Sequence, residues 1–405
     1  MKPIVRAGRM KPVHSDIRGP LFVEAMKRQK QGIDILKLNT GNPATFGFGL
    51  PDSIKNALME HMQDGVGYCD FKGMPQARQA ICDYETSKGI KGITPDDVFI
   101  GNGVSEVVSF ALTPLLNDGD EVLVPSPSYS LWGNSVYLED GKPVFYTCDE
   151  QANWYPDIQN IRSKITDKTK AIVIINPNNP TGVLYPKELL LEIIQIARES
   201  GLLIFADEIY DRLVMDGKQH ISLASLTEDV PVITLNGLSK SHCLCGYRCG
   251  WMVISGPREL TEDYRQGIIQ LTSLRLCANT MAQIVIPAAL DDMETPASMV
   301  RPGGRIYEQR EATVRELEKI DGLSFVKNDA AFYVFPKLDV KKFNITNDKQ
   351  FAHDLLDVTN ILLVPGRGFD WKDPDHFRIV MLPQADILSD AIRRMGTFLD
   401  GYKQK

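Results

Sequence analysis

The chain has 405 residues, of which 43% are hydrophobic and 24% charged, and its formal net charge is −7. That length and apolar content can build a large core and more than one domain. The acidic balance and the lack of a basic block argue against nucleic acid or an anionic membrane as partner, and strand-sized apolar runs argue against a membrane span.

Lys2, Arg6 and Arg9 open the chain with no apolar segment behind them, so no export signal is expected. With seven cysteines, an odd count, this predicts a reduced, cytoplasmic protein. Residues 1–51 are too short to bury a core alone and are expected to join the C-terminal part as an arm. Residues 52–290 alternate apolar runs with amphipathic stretches. Strands are predicted at Val98–Gly101, Glu121–Val124, Pro143–Thr147, Ala171–Asn176, Leu202–Asp207, Val232–Asn236 and Gly250–Ile254. Helices are predicted at Val104–Asn117, Lys187–Ser200 and Arg258–Thr272. Continuous apolar strands imply a sheet covered on both faces, and strand–helix alternation implies parallel pairing. The reading is an α/β large domain with a mostly parallel, seven-stranded sheet between helices. Residues 291–405 differ in texture. A helix is predicted over Pro302–Lys319, short strands at Leu323–Lys327, Phe332–Phe335, Ile361–Val364 and Phe377–Ile379, and a closing helix at Asp386–Tyr402. These make a smaller α+β domain.

Ligands of open α/β sheets bind beyond the carboxyl ends of the strands. The polar residues of this chain gather there. Gly101-Asn102-Gly103-Val104-Ser105-Glu106 leads from a strand into a helix, which suits either a phosphate at a helix start or an ordinary capped turn. No GxGxxG or GxxxxGK[ST] pattern is present to support a nicotinamide or nucleoside triphosphate. Asn176-Pro177-Asn178-Asn179-Pro180-Thr181-Gly182 forms a rigid polar turn that reads as a plain loop or as an amide donor to a ligand oxygen. Asp207 ends a buried strand, where a carboxylate is costly unless paired, by a cap, an ion pair or a protonated ring nitrogen. Tyr210 lies three residues on. Lys240 follows the apolar run Val232–Leu235, and a lysine amine there suits nucleophilic or Schiff-base chemistry. Arg248 follows eight residues later, with the planar fork that binds phosphate. Lysine and phosphate site together point to pyridoxal 5′-phosphate (PLP). His242, Cys243, Cys245 and Cys249 lack zinc-site spacing, and no metal is expected.

Four motifs run in the same order as in a known family. They are Asn-Pro-Thr-Gly at Asn179–Gly182, Asp-x-x-Tyr at Asp207–Tyr210, the lysine turn Ser239-Lys240 followed by Gly-x-Arg-x-Gly at Gly246–Gly250, and Phe-Arg-Ile at Phe377–Ile379. The chain resembles the fold-type I PLP-dependent class I/II aminotransferases. Asp16–Pro20, Leu38–Pro43 and Gly67–Asp70 make it most similar to the bacterial glutamate–pyruvate (alanine) aminotransferases. The resemblance implies roles for single residues. Lys240 would bind the cofactor covalently and move the proton. Asp207 would pair with the ring nitrogen, and Asn179 and Tyr210 with the phenolic oxygen. Tyr129 would stack on the ring. Val104, Ser105, Glu106, Ser239 and Arg248 would hold the phosphate, joined by Tyr68 from a neighbouring subunit, which implies a homodimer with shared sites. Arg378 would clamp the substrate α-carboxylate beside Gly41 and Asn179. The three cysteines between Lys240 and Gly250 depart from the usual pattern.

A ping-pong transfer between L-alanine and 2-oxoglutarate requires one pocket to accept a methyl group and a distal carboxylate in turn. Arg18 and Arg275 are the candidates for that carboxylate. Alternatives on the same scaffold are an aspartate- or aromatic-type aminotransferase, a carbon–sulfur β-lyase or an aminocyclopropane-carboxylate synthase. A non-catalytic regulator is the alternative from another class.

Overall fold

The computed structural model describes residues 2–405. Its centre is one large sheet. From one edge the strands run Val98–Gly101, Gly250–Ser255, Val232–Gly237, Leu203–Asp207, Thr169–Ile175, Glu121–Ser126, Lys142–Asp149 and Tyr155–Pro156. All seven expected strands are present, and the two-residue Tyr155–Pro156 adds an eighth at the edge. Gly250–Ser255 runs against both neighbours. The five strands from Val232–Gly237 to Lys142–Asp149 pair in parallel. Val232–Gly237, Leu203–Asp207 and Thr169–Ile175 are buried along almost their whole length, as expected of a sheet covered on both faces.

Register sets the site. Ile175 pairs with Asp207, and Asp207 with Leu235. The turns that follow these three strands therefore emerge side by side.

Helix Lys187–Ser200 has the predicted bounds. It buries Leu189, Leu190, Ile193, Ile194 and Ala197, a stripe of helical spacing, and Gly201 ends it in the left-handed region at φ 66°. Burying each such Leu or Ile contributes about 1.5–3 kcal/mol. The first helix of the sheet domain stops at Leu112 rather than Asn117, because Pro114 has no N–H with which to continue the helical ladder. Helices at Pro20–Lys30, Pro75–Ser87, Leu131–Leu138 and Asp348–Thr359 are not among the predicted elements. Signals for three of them exist: Pro20 and Pro75 open their helices, and Asn347 caps the last by accepting from the backbone of Lys349 and Gln350.

After residue 291 the strands are short. Phe377–Val380 lies between Tyr333–Val334 and Val364–Pro365, antiparallel to both. Leu36–Lys37 pairs in parallel with Ile361–Leu362, tying the N-terminal segment to this part. Helix Ala385–Asp400 buries Leu388, Ala391, Ile392, Met395 and Leu399 in one cluster with Phe351, Phe377 and Ile379.

Candidate active site

Lys240 sits in a four-residue helix, Leu238–Ser241, directly after its strand. Its Nζ donates to Gly41 O at 3.1 Å and lies 5.7 Å from the centre of the Phe332 ring. Gly41 has no room for a side chain, because a Cβ there would collide with the Tyr333 hydroxyl. The lysine turn, the N-terminal segment and Phe332–Tyr333 thus meet at one point.

Asp207 is buried at the end of the next strand. Its carboxylate accepts from Trp132 Nε1 at 3.1 Å and from Ile209 N at 3.4 Å. Both donors are neutral. Burial pushes its carboxyl up to about 6. A carboxylate held this way favours a cationic partner such as a protonated ring nitrogen. Tyr210 is also buried, and its hydroxyl lies 2.9 Å from that of Tyr333. Burial pushes the Tyr210 hydroxyl well up, so it stays a neutral donor.

Arg378 is fully buried, yet its bonds go to neutral acceptors. Nη1 donates to Asn179 Oδ1 at 2.9 Å and Nη2 to Asn39 O, while Nε is buried with no partner. Its guanidinium lies 4.5 Å from the Tyr333 ring centre and 4.6 Å from that of Phe369. Burial lowers its pKa, the cost of a cation without an anion. An incoming carboxylate would relieve that cost.

The phosphate candidates form a third corner. Helix Val104–Leu112 starts here, and its first N–H groups have no intrahelical partner. Gly103, at φ 84°, precedes it, and a Cβ there would collide with the Arg248 guanidinium. Arg248 is held across the helix start by Nη1 donating to Cys245 O at 2.9 Å. Val104, Ser105, Ser239 and Arg248 retain some exposure. Glu106 does not fit this role. Its carboxylate accepts from Asn102 and pairs with Arg275 at 2.7 Å, and its N–H donates to Gly103 O. A free anion at that place would also repel phosphate.

Arg275, a candidate for the distal carboxylate, is committed to Glu106 and to the carbonyls of Phe71 and Ile100. Arg18 lies exposed next to Ile17, whose carbonyl accepts from buried Asn39 at 2.8 Å. Tyr129 is half-buried and near enough to Arg378 to bear on its charge. Tyr68 is 83% exposed. The cysteines diverge: Cys243 lies near Met299, Cys245 donates to Asn42 Oδ1, and Cys249 is buried in an apolar cluster.

Residues 33–392 match the aminotransferase class I and II family. The chain belongs to that family. It is 50% identical over 404 residues to the glutamate-pyruvate aminotransferase AlaA of Haemophilus influenzae, with both chains covered completely. It is 44% identical to an alanine aminotransferase of Mycobacterium bovis, covering all of this chain and 94% of that one. A crystal structure of an aminotransferase from Escherichia coli superposes with a TM-score of 0.98 at 47% identity, each chain fully covered. The chain is therefore a PLP-dependent aminotransferase of fold type I.

The residues fit the cofactor: a buried carboxylate with neutral donors, a lysine at a strand end and an arginine over a helix start. The sequence motifs do not mark Trp132, Tyr333 or Phe369, and Asn39 falls within Leu38–Pro43 without being assigned a role. Trp132 lies one helical turn past Tyr129, a spacing that could draw attention to it. Tyr333 and Phe369 carry no turn motif. Trp132→Phe keeps the packing on Phe205, whose ring centre lies 5.3 Å away, and removes one hydrogen bond to Asp207. A hydrogen bond to a charged group contributes about 1.5–3 kcal/mol, so PLP should bind roughly 10–100-fold more weakly. Titration of the cofactor-free protein with PLP checks this, and unchanged affinity would remove the indole from the site.

Proposed function

We propose that this aminotransferase moves the amino group between L-alanine and 2-oxoglutarate, giving pyruvate and L-glutamate in two half-reactions at one site. The observation that carries the site assignment is Arg378, a buried cation whose partners are all neutral. A substrate α-carboxylate matches its fork. The alanine assignment rests on the relatives named glutamate-pyruvate and alanine aminotransferase.

PLP, when bound, supplies an aldehyde and an electron-withdrawing ring that loosen the Cα–H bond of an amino acid. The protein's residues do the rest. Asp207 holds the ring nitrogen protonated. Asn179 and Tyr210 donate toward the ring's phenolic oxygen, and Asn179 also orients Arg378 through its Oδ1. Arg378 fixes the substrate carboxylate beside Gly41. Lys240 Nζ, close to Gly41 O, would take the proton from the substrate Cα and give it back as the amino group is transferred, leaving the amine free again. Val104, Ser105, Ser239 and Arg248 anchor the phosphate, and Tyr129 covers the ring.

Arg18 is proposed to meet the distal carboxylate of glutamate or 2-oxoglutarate. Its exposure and its neighbour Ile17, tethered to Asn39, support this reading. Arg18→Ala should raise KM for glutamate and 2-oxoglutarate about tenfold or more while KM for alanine changes little. Steady-state kinetics with both pairs checks this, and equal losses would remove Arg18 from the role.

We further propose a homodimer with shared sites. Met59, Val66, Tyr68 and Leu274 are exposed apolar side chains near the Tyr68 loop and the end of helix Arg258–Arg275, which suits a partner's surface. The domain boundaries are proposed near residues 51 and 290, supported by the pairing of Leu36–Lys37 with Ile361–Leu362. A cytoplasmic location is proposed from seven unpaired cysteines. No single helix among the described residues is long and apolar enough to cross a membrane.

A coupled assay for pyruvate formed from alanine and 2-oxoglutarate tests the function. Faster transfer from aspartate or tyrosine than from alanine would contradict it.

A further inference from the structure

Behind the cofactor site lies a buried charge cluster that the reaction does not use. Lys88 follows helix Pro75–Ser87, and its side chain is only 13% exposed. Its Nζ stands 2.7 Å from Glu85 Oε2, 2.7 Å from Glu208 Oε2 and 3.2 Å from Asp211 Oδ2. Glu208 follows Asp207 and Asp211 follows Tyr210 in the chain, so both acids belong to the turn that carries two site residues.

Each acid is fixed further. Glu208 Oε1 accepts from Ser222 Oγ at 2.9 Å and Leu223 N at 3.0 Å. Asp211 Oδ2 accepts from Tyr84 Oη at 2.6 Å and Asn236 Nδ2 at 2.7 Å. Asn236 Oδ1 in turn accepts from Gly237 N at 2.7 Å, and Gly237 leads directly into the Lys240 helix. One ammonium therefore reaches both strand ends through hydrogen-bonded side chains. Glu208, Asp211 and His220 also have the mutual spacing of metal ligands, but Lys88 already supplies a cation against the first two and would repel another. Three carboxylates in such a place are costly without that charge.

We infer that Lys88 is a positioning residue: through Glu208, Asp211 and Asn236 it sets the spacing between the Asp207–Tyr210 turn and the Lys240 turn. The inference rests on Asp207 and Lys240 holding the cofactor as proposed. Borohydride mapping of the wild-type adduct tests that reading separately, without any change at Lys88.

The test compares wild type with Lys88→Met and with Lys88→Met/Glu208→Gln. The double variant removes a buried cation and a buried anion together, so it carries the test should the single variant not fold. Three quantities are read: the PLP dissociation constant from titration of the cofactor-free protein, turnover per bound cofactor, and KM for alanine. A small misplacement of reacting groups costs on the order of 10–100-fold, so PLP affinity and turnover per cofactor should both fall by about that factor. KM for alanine should stay within about twofold, because Arg378 is held by other elements. A folded double variant with wild-type PLP affinity and wild-type turnover, even at a lower Tm, would make Lys88 a stability element only and overturn the inference.

Discussion

Lys240→Ala is expected to fold, to bind PLP without a covalent link, and to lose turnover by about four orders of magnitude. The folding part follows from position. Lys240 lies on a four-residue helix with its side chain partly exposed, and alanine is the best helix former. Truncation removes one hydrogen bond, to Gly41 O, worth about 0.5–1.5 kcal/mol. The turnover part follows from chemistry. Lys240 is the one amine proposed to take the substrate Cα proton, and general acid–base catalysis contributes about 10²–10⁴-fold. Losing the covalent attachment as well places the effect at the upper end. Single-turnover absorbance measurements with alanine check it. A variant retaining more than about a tenth of wild-type turnover would contradict the assignment.

Asp207→Asn should have opposite effects on stability and on activity. In the cofactor-free chain, burial holds the Asp207 carboxyl at about 6, above the ordinary 3.8. The sign follows from linkage. A carboxyl raised in the folded state favours folding most while protonated, and this advantage is lost as pH rises from about 4 to about 6. At neutral pH the native chain thus carries a penalty on the order of 3 kcal/mol. Asparagine keeps an oxygen for Trp132 Nε1 and carries no charge, so the cofactor-free variant should melt higher at pH 7. The gap should narrow toward pH 4. With PLP present the order reverses. Asparagine cannot keep the ring nitrogen protonated, and losing a buried charge partner costs about 3–5 kcal/mol, or roughly 10²–10⁴-fold in turnover. Melting curves with and without PLP, combined with kinetics, check both halves. A cofactor-free variant less stable than wild type at pH 7 would contradict the account of Asp207.

Much of this is legible in the sequence because strands and turns leave short-range marks. Apolar runs mark the central strands, and helical spacing and Gly201 bound Lys187–Ser200. Asp207 and Lys240 stand out because charged residues at the ends of apolar runs conflict with burial. Contacts made by long-range approach do not stand out. Trp132 meets Asp207 across 75 residues, Tyr333 meets Tyr210 across 123, and Arg378 meets Asn39 across 339. Nothing local in the chain encodes those meetings. Glu106 is misread for the same reason. Its place at a helix start suggests phosphate, while its partner Arg275 lies 169 residues away.

The most direct test is reduction of the PLP-loaded protein with sodium borohydride, followed by proteolysis and mass mapping. A pyridoxyl group on the peptide containing Lys240, and absent from Lys240→Ala, is the predicted result. A reduced adduct on any other lysine, or none at all, would contradict the account.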